Sequence, residues 1–244
     1  MIRKIFAEQM KKTFVLSCVQ NIMGKIYVDN SCDPKSVLAV LGDFYFPTGI
    51  PNQLLLSKFD EKEYRIIVPE NKYWEILIEN NYKEKAVKIV RYALKNEKSF
   101  DIEKLENIKN SLSEEFSLKE IDKNIFNLCL KENWSRDLVS QFETYEKYKN
   151  IGLGFVILKD NEIVSGASSY SRYEKGIEIE IDTREDYRRN GLAYICGAAL
   201  ILESIKRGLY PSWDAHNRES LALAEKLGYE LDYEYTAYEV YSSI

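Results

Sequence analysis

Residues 177–193 read IEIEIDTREDYRRNGLA, and this stretch decides the fold that we expect. Isoleucines alternate with Glu178, Glu180 and Asp182, so the two sets of side chains face opposite sides of a strand. Small and aliphatic residues follow Gly191 for about four helical turns. The sequence therefore predicts a strand with an apolar face and an acidic face, then a polar turn, then a helix that begins at Gly191.

The start of this helix has the features of an anion site. The first N–H groups of a helix have no partner within the helix and carry partial positive charge, and a glycine lets an anion approach them. Arg188 and Arg189 strengthen the attraction to phosphate. The run from Arg188 to Ala193, RRNGLA, resembles the signature of the GNAT superfamily of acyl-CoA-dependent N-acetyltransferases, Arg/Gln-x-x-Gly-x-Gly/Ala.

A second block strengthens the resemblance. Residues 217–229 read NRESLALAEKLGY and resemble the second signature of that superfamily, Asn-x-x-(Ser/Ala) followed by a helix that ends in Lys-Leu-Gly-(Phe/Tyr). The resemblance covers roughly Phe116 to Tyr241. It implies an α/β (α+β) fold with a mixed central sheet flanked by helices.

Composition limits the classes of function. The chain has 244 residues, of which 45% are hydrophobic and 30% are charged, as expected for a globular protein with a packed core. Apolar runs are shorter than the ~18 residues of a membrane span, and the N-terminus lacks the pattern of a signal peptide. We therefore expect a cytoplasmic protein. A net charge of −5 without a basic block predicts no nucleic-acid partner.

The four cysteines are scattered, and only one histidine accompanies them. This pattern favours reduced thiols over a disulfide framework or a zinc site, so no metal is expected.

The sequence predicts three segments. Residues 1–98 form a small α/β domain, 99–115 form a linker helix, and 116–244 form the GNAT-like domain. In the first segment, 37–46 read as one strand that Pro47 breaks. The order of its elements imitates the order expected after Ile177, which suggests a degenerate copy of the same half-fold; the alternative is an unrelated α/β cap.

Three further elements are expected in the second half. A helix starts near Ser135 and continues past Phe142, residues 209–214 form a strand, and the tyrosine-rich run 229–241 forms a closing hairpin.

The resemblance implies acetyl-CoA as the acyl donor. Its pyrophosphate would contact the main chain at the start of the helix, with Arg188 beside it, and its thioester carbonyl would meet N–H groups near Asp182 and Thr183, at a bulge that splays the strand. Asn217 and Ser220 resemble further cofactor contacts, although Asn217 is also a good helix cap. The predicted cofactor-binding residues are Thr183, Arg188, Arg189, Asn190, Gly191, Leu192, Ala193, Asn217 and Ser220.

The acidic face of the strand supplies the candidate bases. Carboxylates on an internal strand acquire raised pKa values and can take a proton from an ammonium group. We place Glu180 first and Asp182 second; the alternative is a face that is wet or paired with arginines. The superfamily's usual tyrosine position holds Ala224, so the proton donor to the thiolate is missing, and His216 is a candidate substitute.

These features predict an enzyme that transfers an acetyl group from acetyl-CoA to a primary amine of a small molecule or peptide. The alternative is a catalytically silent CoA-binding or regulatory module. The N-terminal domain would form part of the acceptor pocket or mediate a homodimer.

Overall fold

The computed structural model describes residues 2–7, 9–96 and 99–242. They form two compact units. The first unit comprises Met1–Arg91 and Glu234–Ile244, and the second comprises Tyr92–Tyr233.

These units do not coincide with the expected segments, because the first unit takes up the C-terminal residues and the second begins at Tyr92. The expected boundary at residue 98 lies outside the described residues. The limits 1–98, 99–115 and 116–244 therefore stay a prediction about independent domains.

Helices and strands alternate along most of the described chain. The α-helices are α1 Ile2–Ile5, α2 Thr13–Val19, α3 Gln53–Ser57, α4 Lys72–Tyr82, α5 Ile102–Lys109, α6 Lys123–Cys129, α7 Tyr145–Ile151, α8 Leu192–Lys206 and α9 Arg218–Leu227. The strands are β1 Lys25–Val28, β2 Ser36–Leu41, β3 Phe44–Gly49, β4 Tyr64–Ile67, β5 Ala86–Leu94, β6 Ser117–Glu120, β7 Gly154–Lys159, β8 Glu162–Tyr173, β9 Gly176–Thr183, β10 Tyr210–Ser212, β11 Asp214–Ala215 and β12 Leu231–Tyr241.

The strands form two mixed sheets. One sheet has the order β1-β2-β3-β4-β12-β5-β11 and the other has the order β10-β9-β8-β7-β6. β3 pairs in parallel with β4, and β9 pairs in parallel with β10, whereas β8 pairs antiparallel with both β7 and β9. The expected α/β (α+β) fold with a mixed central sheet flanked by helices is confirmed.

The core of the second unit forms between its sheet and α8. Ile177 and Ile179 of β9 pack there with Leu200 of α8. Leu105 and Ile108 of α5, the helix expected as a linker, are buried in the same core. Their helical spacing thus marks a face that packs within the unit.

The single strand expected at 37–46 is wrong. Gly42 adopts φ 57 and turns the chain, so β2 and β3 form a hairpin. Pro47 lies within β3, opposite Leu38. A proline fits there because β3 pairs with β4 only at Phe44 and Tyr45, so no partner on that side needs its missing N–H.

Three further expectations are wrong, and the first is the helix from Ser135 past Phe142. The chain at Arg136–Leu138 and Ser140–Phe142 forms separate 3-10 turns, because the Ser135 hydroxyl donates to Cys129 O rather than capping a helix. The α-helix begins only after Thr144, whose Oγ1 accepts from Lys147 N–H.

The closing hairpin expected at 229–241 is one strand, β12, which pairs antiparallel with β4. The strand expected at 209–214 is divided at Trp213 into β10 and β11.

Candidate active site

Strand β9 places its side chains in two environments. Ile179 is buried in the core with Leu192 of α8. On the opposite face, Glu178 is buried, whereas Glu180 and Asp182 are half-buried. The expected apolar and acidic faces are therefore present.

The sheet opens beside β9. The parallel pairing of β9 with β10 ends at Glu178 and Ser212, the last residue of β10. After Trp213 the chain continues as β11, which pairs with β5. Residues 179–183 of β9 therefore have no partner strand on this edge within the described sheets. We name this opening the fork.

The N-terminus of α8 lies a short turn beyond the end of β9. Gly191 is the N-cap residue with φ 77, and Arg189 is also left-handed with φ 66. Such turns create concavities in which successive N–H groups bind an anion. In the part of the chain that the structure describes, the N–H groups of 189–193 have no hydrogen-bond acceptor.

Space is open in front of these N–H groups. A Cβ placed on Gly191 would meet no atom within 4 Å. Arg188 lies beside the turn with 58% of its side chain exposed, and its Nε donates to Thr183 O at 3.2 Å. The turn therefore combines free N–H donors, open space and a positive charge, which fits a diphosphate.

Ile181 directs its N–H into the fork. Alternate residues of a strand point their N–H groups to opposite edges, and Arg184 N–H donates to Val164 O of β8. The N–H groups of Ile181 and Thr183 therefore point toward the fork. Thr183 N–H is engaged by Asp182 Oδ1 at 2.6 Å, so Ile181 is the better placed donor for a carbonyl oxygen.

The bulge expected near Asp182 and Thr183 is displaced. These residues pair regularly with Gly166 and Ser165 of β8, and the irregularity lies between Ser169 and Ser171. The strands separate because β10 ends, and not because β9 bulges.

Burial raises the pKa of Asp182 above its ordinary range, although Thr183 N–H and the positive charge of Arg188 oppose the shift. Asp137 adds a smaller upward contribution. A carboxylate with a raised pKa is a stronger base for an ammonium proton. Glu180 lies two residues before Asp182, closer to Glu178, where the fork begins.

Helix α9 holds the second predicted block. Asn217 caps this helix, since its Oδ1 accepts from Ser220 N–H at 2.8 Å. His216 is exposed and lies between β11 and this cap. Ala224 is fully buried in the core, so the position of the usual tyrosine carries no polar group.

A buried polar row crosses three strands at the inner end of the fork. Ser171 pairs with Glu178, which pairs with Ser212, so the three side chains share one face. Their exposed fractions are 0%, 3% and 2%, respectively. We name these three residues the buried row.

Two neighbours contact the row. Ser212 Oγ lies 2.8 Å from the hydroxyl of Tyr173 and 3.5 Å from Asn96 Oδ1. Burial, with the negative charge of Glu178 as a smaller contribution, raises the pKa of Tyr173 to about 12. Ser171 and Ser212 were not predicted as site residues; the run of serines in β8 is a signal for Ser171, whereas nothing in the sequence marks Ser212.

The acidic face is covered by the segment between β6 and β7. Tyr148 of α7 shares a hydrogen bond of 3.0 Å with Ser168, the residue opposite Glu180. A cavity of about 250 Å³ is lined by Trp134 and Ser135 of this segment and by Arg184, which follows β9. Among the described residues, no group of three or more His, Cys, Asp or Glu side chains could hold a metal ion.

The described residues thus form a forked mixed sheet followed by a helix start whose N–H groups have no acceptor, an arrangement that fits an acyltransferase of the GNAT type. The model of the GNAT acetyltransferase family matches residues 3–238. The chain belongs to this family of acyltransferases. No described helix is long and apolar enough to cross a membrane.

Known relatives agree with this assignment. The Uncharacterized N-acetyltransferase YdfB of Bacillus subtilis (strain 168) is 28% identical over 250 residues, which cover 97% of this chain and 94% of that protein. A GCN5-related N-acetyltransferase-like protein from Streptococcus suis 89/1591 has a TM-score of 0.92 at 48% identity, covering 96% of this chain and 99% of that one.

A second solved structure shows the fold alone. The tandem GNAT protein from the clavulanic acid biosynthesis pathway has a TM-score of 0.52 at 9% identity, covering 90% of this chain and 83% of that one.

Proposed function

We propose that this protein transfers an acetyl group from acetyl-CoA to a primary amine of a small molecule or peptide. One observation carries the proposal: within the described residues the N–H groups of 189–193 have no acceptor, the space in front of Gly191 is open, and the turn adjoins an open strand edge of the same unit. A diphosphate at these donors would allow the rest of the cofactor to extend along the fork.

Each part of the site then has a role. The N–H groups of 189–193 bind the pyrophosphate with Arg188 beside them, and the N–H of Ile181 donates to the carbonyl oxygen. Asn217 and Ser220 lie at the start of α9 and form the far wall of the cofactor site. Acetyl-CoA supplies the acetyl group as an activated thioester.

The proton transfers use the acidic face. The amine reacts as the free base, so a carboxylate must take a proton from its ammonium form; Glu180 is the first candidate and Asp182 the second. The nitrogen bonds to the carbonyl carbon while the carbon–sulfur bond breaks. The thiolate, with a pKa of about 8.5, leaves without assistance or takes a proton from His216.

The test is binding of CoA to the purified protein, measured by isothermal titration calorimetry. Gly191→Asp places a negative charge where the diphosphate binds, and we expect at least about a 100-fold loss of affinity. Gly208→Asp is the matched control, since Gly208 also has a positive φ of 70 and open space but follows the end of α8. Equal affinity in the wild type and Gly191→Asp contradicts the proposal.

A second candidate function is a silent CoA-binding module. The buried Ala224 favours it, because this position supplies no proton donor. Release of free thiol from acetyl-CoA, with and without a panel of primary amines, separates the two functions. Amine-dependent release supports the enzyme, and CoA binding without any release supports the silent module.

A further inference from the structure

We propose that Asp182 and the diphosphate of CoA compete for the guanidinium group of Arg188. The arginine pairs with the carboxylate, or it pairs with the diphosphate, and binding of the cofactor draws it from the first to the second. This inference rests on the proposed function and adds how the cofactor prepares the acceptor side of the same site. Cofactor binding thereby makes the carboxylate of Asp182 available to the ammonium group of the acceptor.

Two contacts join Arg188 to the end of β9. Its Nε donates to Thr183 O at 3.2 Å, and its Nη2 lies 3.8 Å from Asp182 Oδ1. Within the part of the chain that the structure describes, Asp182 is the only carboxylate paired with this guanidinium. The same side chain lies beside the turn at 189–193, where the diphosphate is proposed to bind. One positive charge thus serves two anionic partners.

The contact between Arg188 and Asp182 is weak enough to be exchanged. At 3.8 Å its charged atoms are farther apart than the atoms of a hydrogen bond, and 58% of the Arg188 side chain is exposed. Exposed ion pairs contribute little stability, whereas a guanidinium binds a phosphate through two short charge-assisted hydrogen bonds. A diphosphate at 189–193 therefore binds the arginine more strongly than the carboxylate does.

The carboxylate of Asp182 can accept a new partner once the arginine has moved. Its side chain is 36% exposed, so it is within reach of a ligand. Its Oδ1 accepts from Thr183 N–H at 2.6 Å, and among the described residues its Oδ2 has no hydrogen-bond donor. An ammonium group supplies both a counter-charge and N–H donors. It can therefore replace the guanidinium at this carboxylate.

The charges around Asp182 determine the sign of the effect. Burial raises the pKa of Asp182, Thr183 N–H and the positive charge of Arg188 lower it, and Asp137, from the segment between α6 and α7, raises it again. Glu180 lies on the same face of β9, and the residue opposite Asp182 on β8 is a glycine. Moving the positive charge away raises the pKa of Asp182 further. The carboxyl group therefore takes up protons while the cofactor binds.

The experiment measures proton uptake when 3′-dephospho-CoA binds, by isothermal titration calorimetry in two buffers with different ionisation enthalpies. This probe carries the diphosphate without the 3′-phosphate, a monoester whose own proton titrates near neutral pH. For the wild type we expect uptake of a fraction of a proton for each molecule bound. Its affinity should fall about threefold as the pH rises through the pKa of Asp182, because the ionised carboxylate competes for the arginine.

Two variants and one control separate the contributions. Arg188→Ala should abolish the proton uptake and the pH dependence of affinity because no charge moves away from Asp182. Asp182→Asn should abolish both because no carboxyl group is left to titrate. Arg184→Ala is the matched control and should behave as the wild type, since Arg184 pairs with Glu162 and Asp186 instead. Thermal unfolding checks that each variant is folded.

Two results would overturn the inference. The first is a wild type that takes up no more protons than Asp182→Asn. The second is equal uptake in the wild type and in Arg188→Ala, which would assign the rise in pKa to the charge of the diphosphate itself. In both results the wild type binds 3′-dephospho-CoA. Failure of the inference is therefore distinct from failure of the proposed function, in which neither CoA nor this probe binds.

Discussion

The two units contain the same backbone feature with opposite outcomes. In the second unit, the parallel strands β9 and β10 separate after Glu178, and a helix follows the open strand. In the first unit, the parallel strands β3 and β4 pair only at Phe44 and Tyr45 before they separate, and a helix again follows. The comparison shows how one fork stays open along a strand edge while the other is filled by side chains.

The first unit fills its fork with its own side chains. Gly49 N–H, at the end of β3, donates to Glu70 Oε2 at 2.9 Å, and Gly49 O accepts from the indole of Trp74 at 3.0 Å. The following helix α3 has only five residues, and its N-cap Asn52 accepts from Leu55 N–H. The N–H groups of Gly49, Ile50 and Leu55 at this turn are therefore engaged, and Pro51 has no N–H group.

The features that the two forks share favour the hypothesis of a degenerate duplication over that of an unrelated α/β cap. In each fork the central strand, β3 or β9, pairs antiparallel with the preceding strand and briefly in parallel with a later one. In each unit an asparagine, Asn71 or Asn217, caps the second helix after that strand. The duplication stays a hypothesis. In either case, the proposed cofactor site lies at the fork where, among the described residues, the N–H groups of 189–193 have no acceptor.

The largest expected effect tests the filled fork. Trp74→Ala removes a fully buried indole, and we expect the free energy of unfolding to fall by about 3–5 kcal/mol because a cavity remains. Urea denaturation measures this change. CoA affinity should be preserved under conditions where the variant is folded; a parallel loss of CoA affinity contradicts the assignment of this fork to a structural role.

The acidic face sharpens the contrast, because β3 carries no carboxylate. If Asp182, the second candidate, is the base, acceptor-dependent turnover should rise with pH through its raised pKa, since only the ionised carboxylate accepts a proton. Asp182→Asn should remove this rise and lower turnover about 100-fold at neutral pH. Thiol release across the pH range is the measurement, and an unchanged pH profile would assign the base elsewhere.

Two glycines distinguish the open turn from the closed one. A Cβ on Gly49 would lie 2.2 Å from Lys35 O, whereas one on Gly191 meets nothing, and both residues have a positive φ. Gly49→Ala should destabilise the protein by about 3 kcal/mol, and Gly191→Ala by about 1 kcal/mol. Urea denaturation compares them. Equal losses would mean that the two turns are equally crowded.

Arg188→Ala should weaken CoA binding about tenfold, because an exposed guanidinium contributes one charge-assisted contact to a phosphate. Arg184→Ala is the control, since Arg184 already pairs with Glu162 and Asp186. Calorimetry measures both affinities. A loss in the control as large as in Arg188→Ala would point to the general charge of this surface.

The smallest effect compares two helix caps. Asn71 caps α4 and Asn217 caps α9 through their side-chain oxygens, so each change to alanine should cost about 1 kcal/mol of stability. Only Asn217→Ala should also weaken CoA binding. If neither variant or both variants lose affinity, the predicted cofactor contact of Asn217 is excluded.

The sequence predicted the elements that depend on local pattern. The period-two isoleucines defined β9, and RRNGLA placed the start of α8, because strand faces and helix starts are encoded within a few residues. The cap at Asn217 followed for the same reason. The sequence alone therefore predicts a cluster of main-chain N–H groups at 189–193.

Features that depend on distant partners could not be predicted. The fork begins where β10 stops pairing with β9. The strand expected at 209–214 is divided at Trp213 because β11 pairs with β5 instead. The buried row needs the register of β8, β9 and β10 together. Ser135 resembles a helix cap in sequence, but its hydroxyl donates a hydrogen bond to the carbonyl oxygen of Cys129.

The boundary between the units falls inside two strands, after Arg91 in β5 and after Tyr233 in β12. A truncated protein that starts at residue 116 would therefore lack Tyr92 and Ala93, to which β11 is hydrogen-bonded. It would also lack β4, so the last residues of β12 would have lost the strand with which they pair. Unpaired strand edges promote self-association, so excising the GNAT-like half would yield aggregates instead of a minimal enzyme.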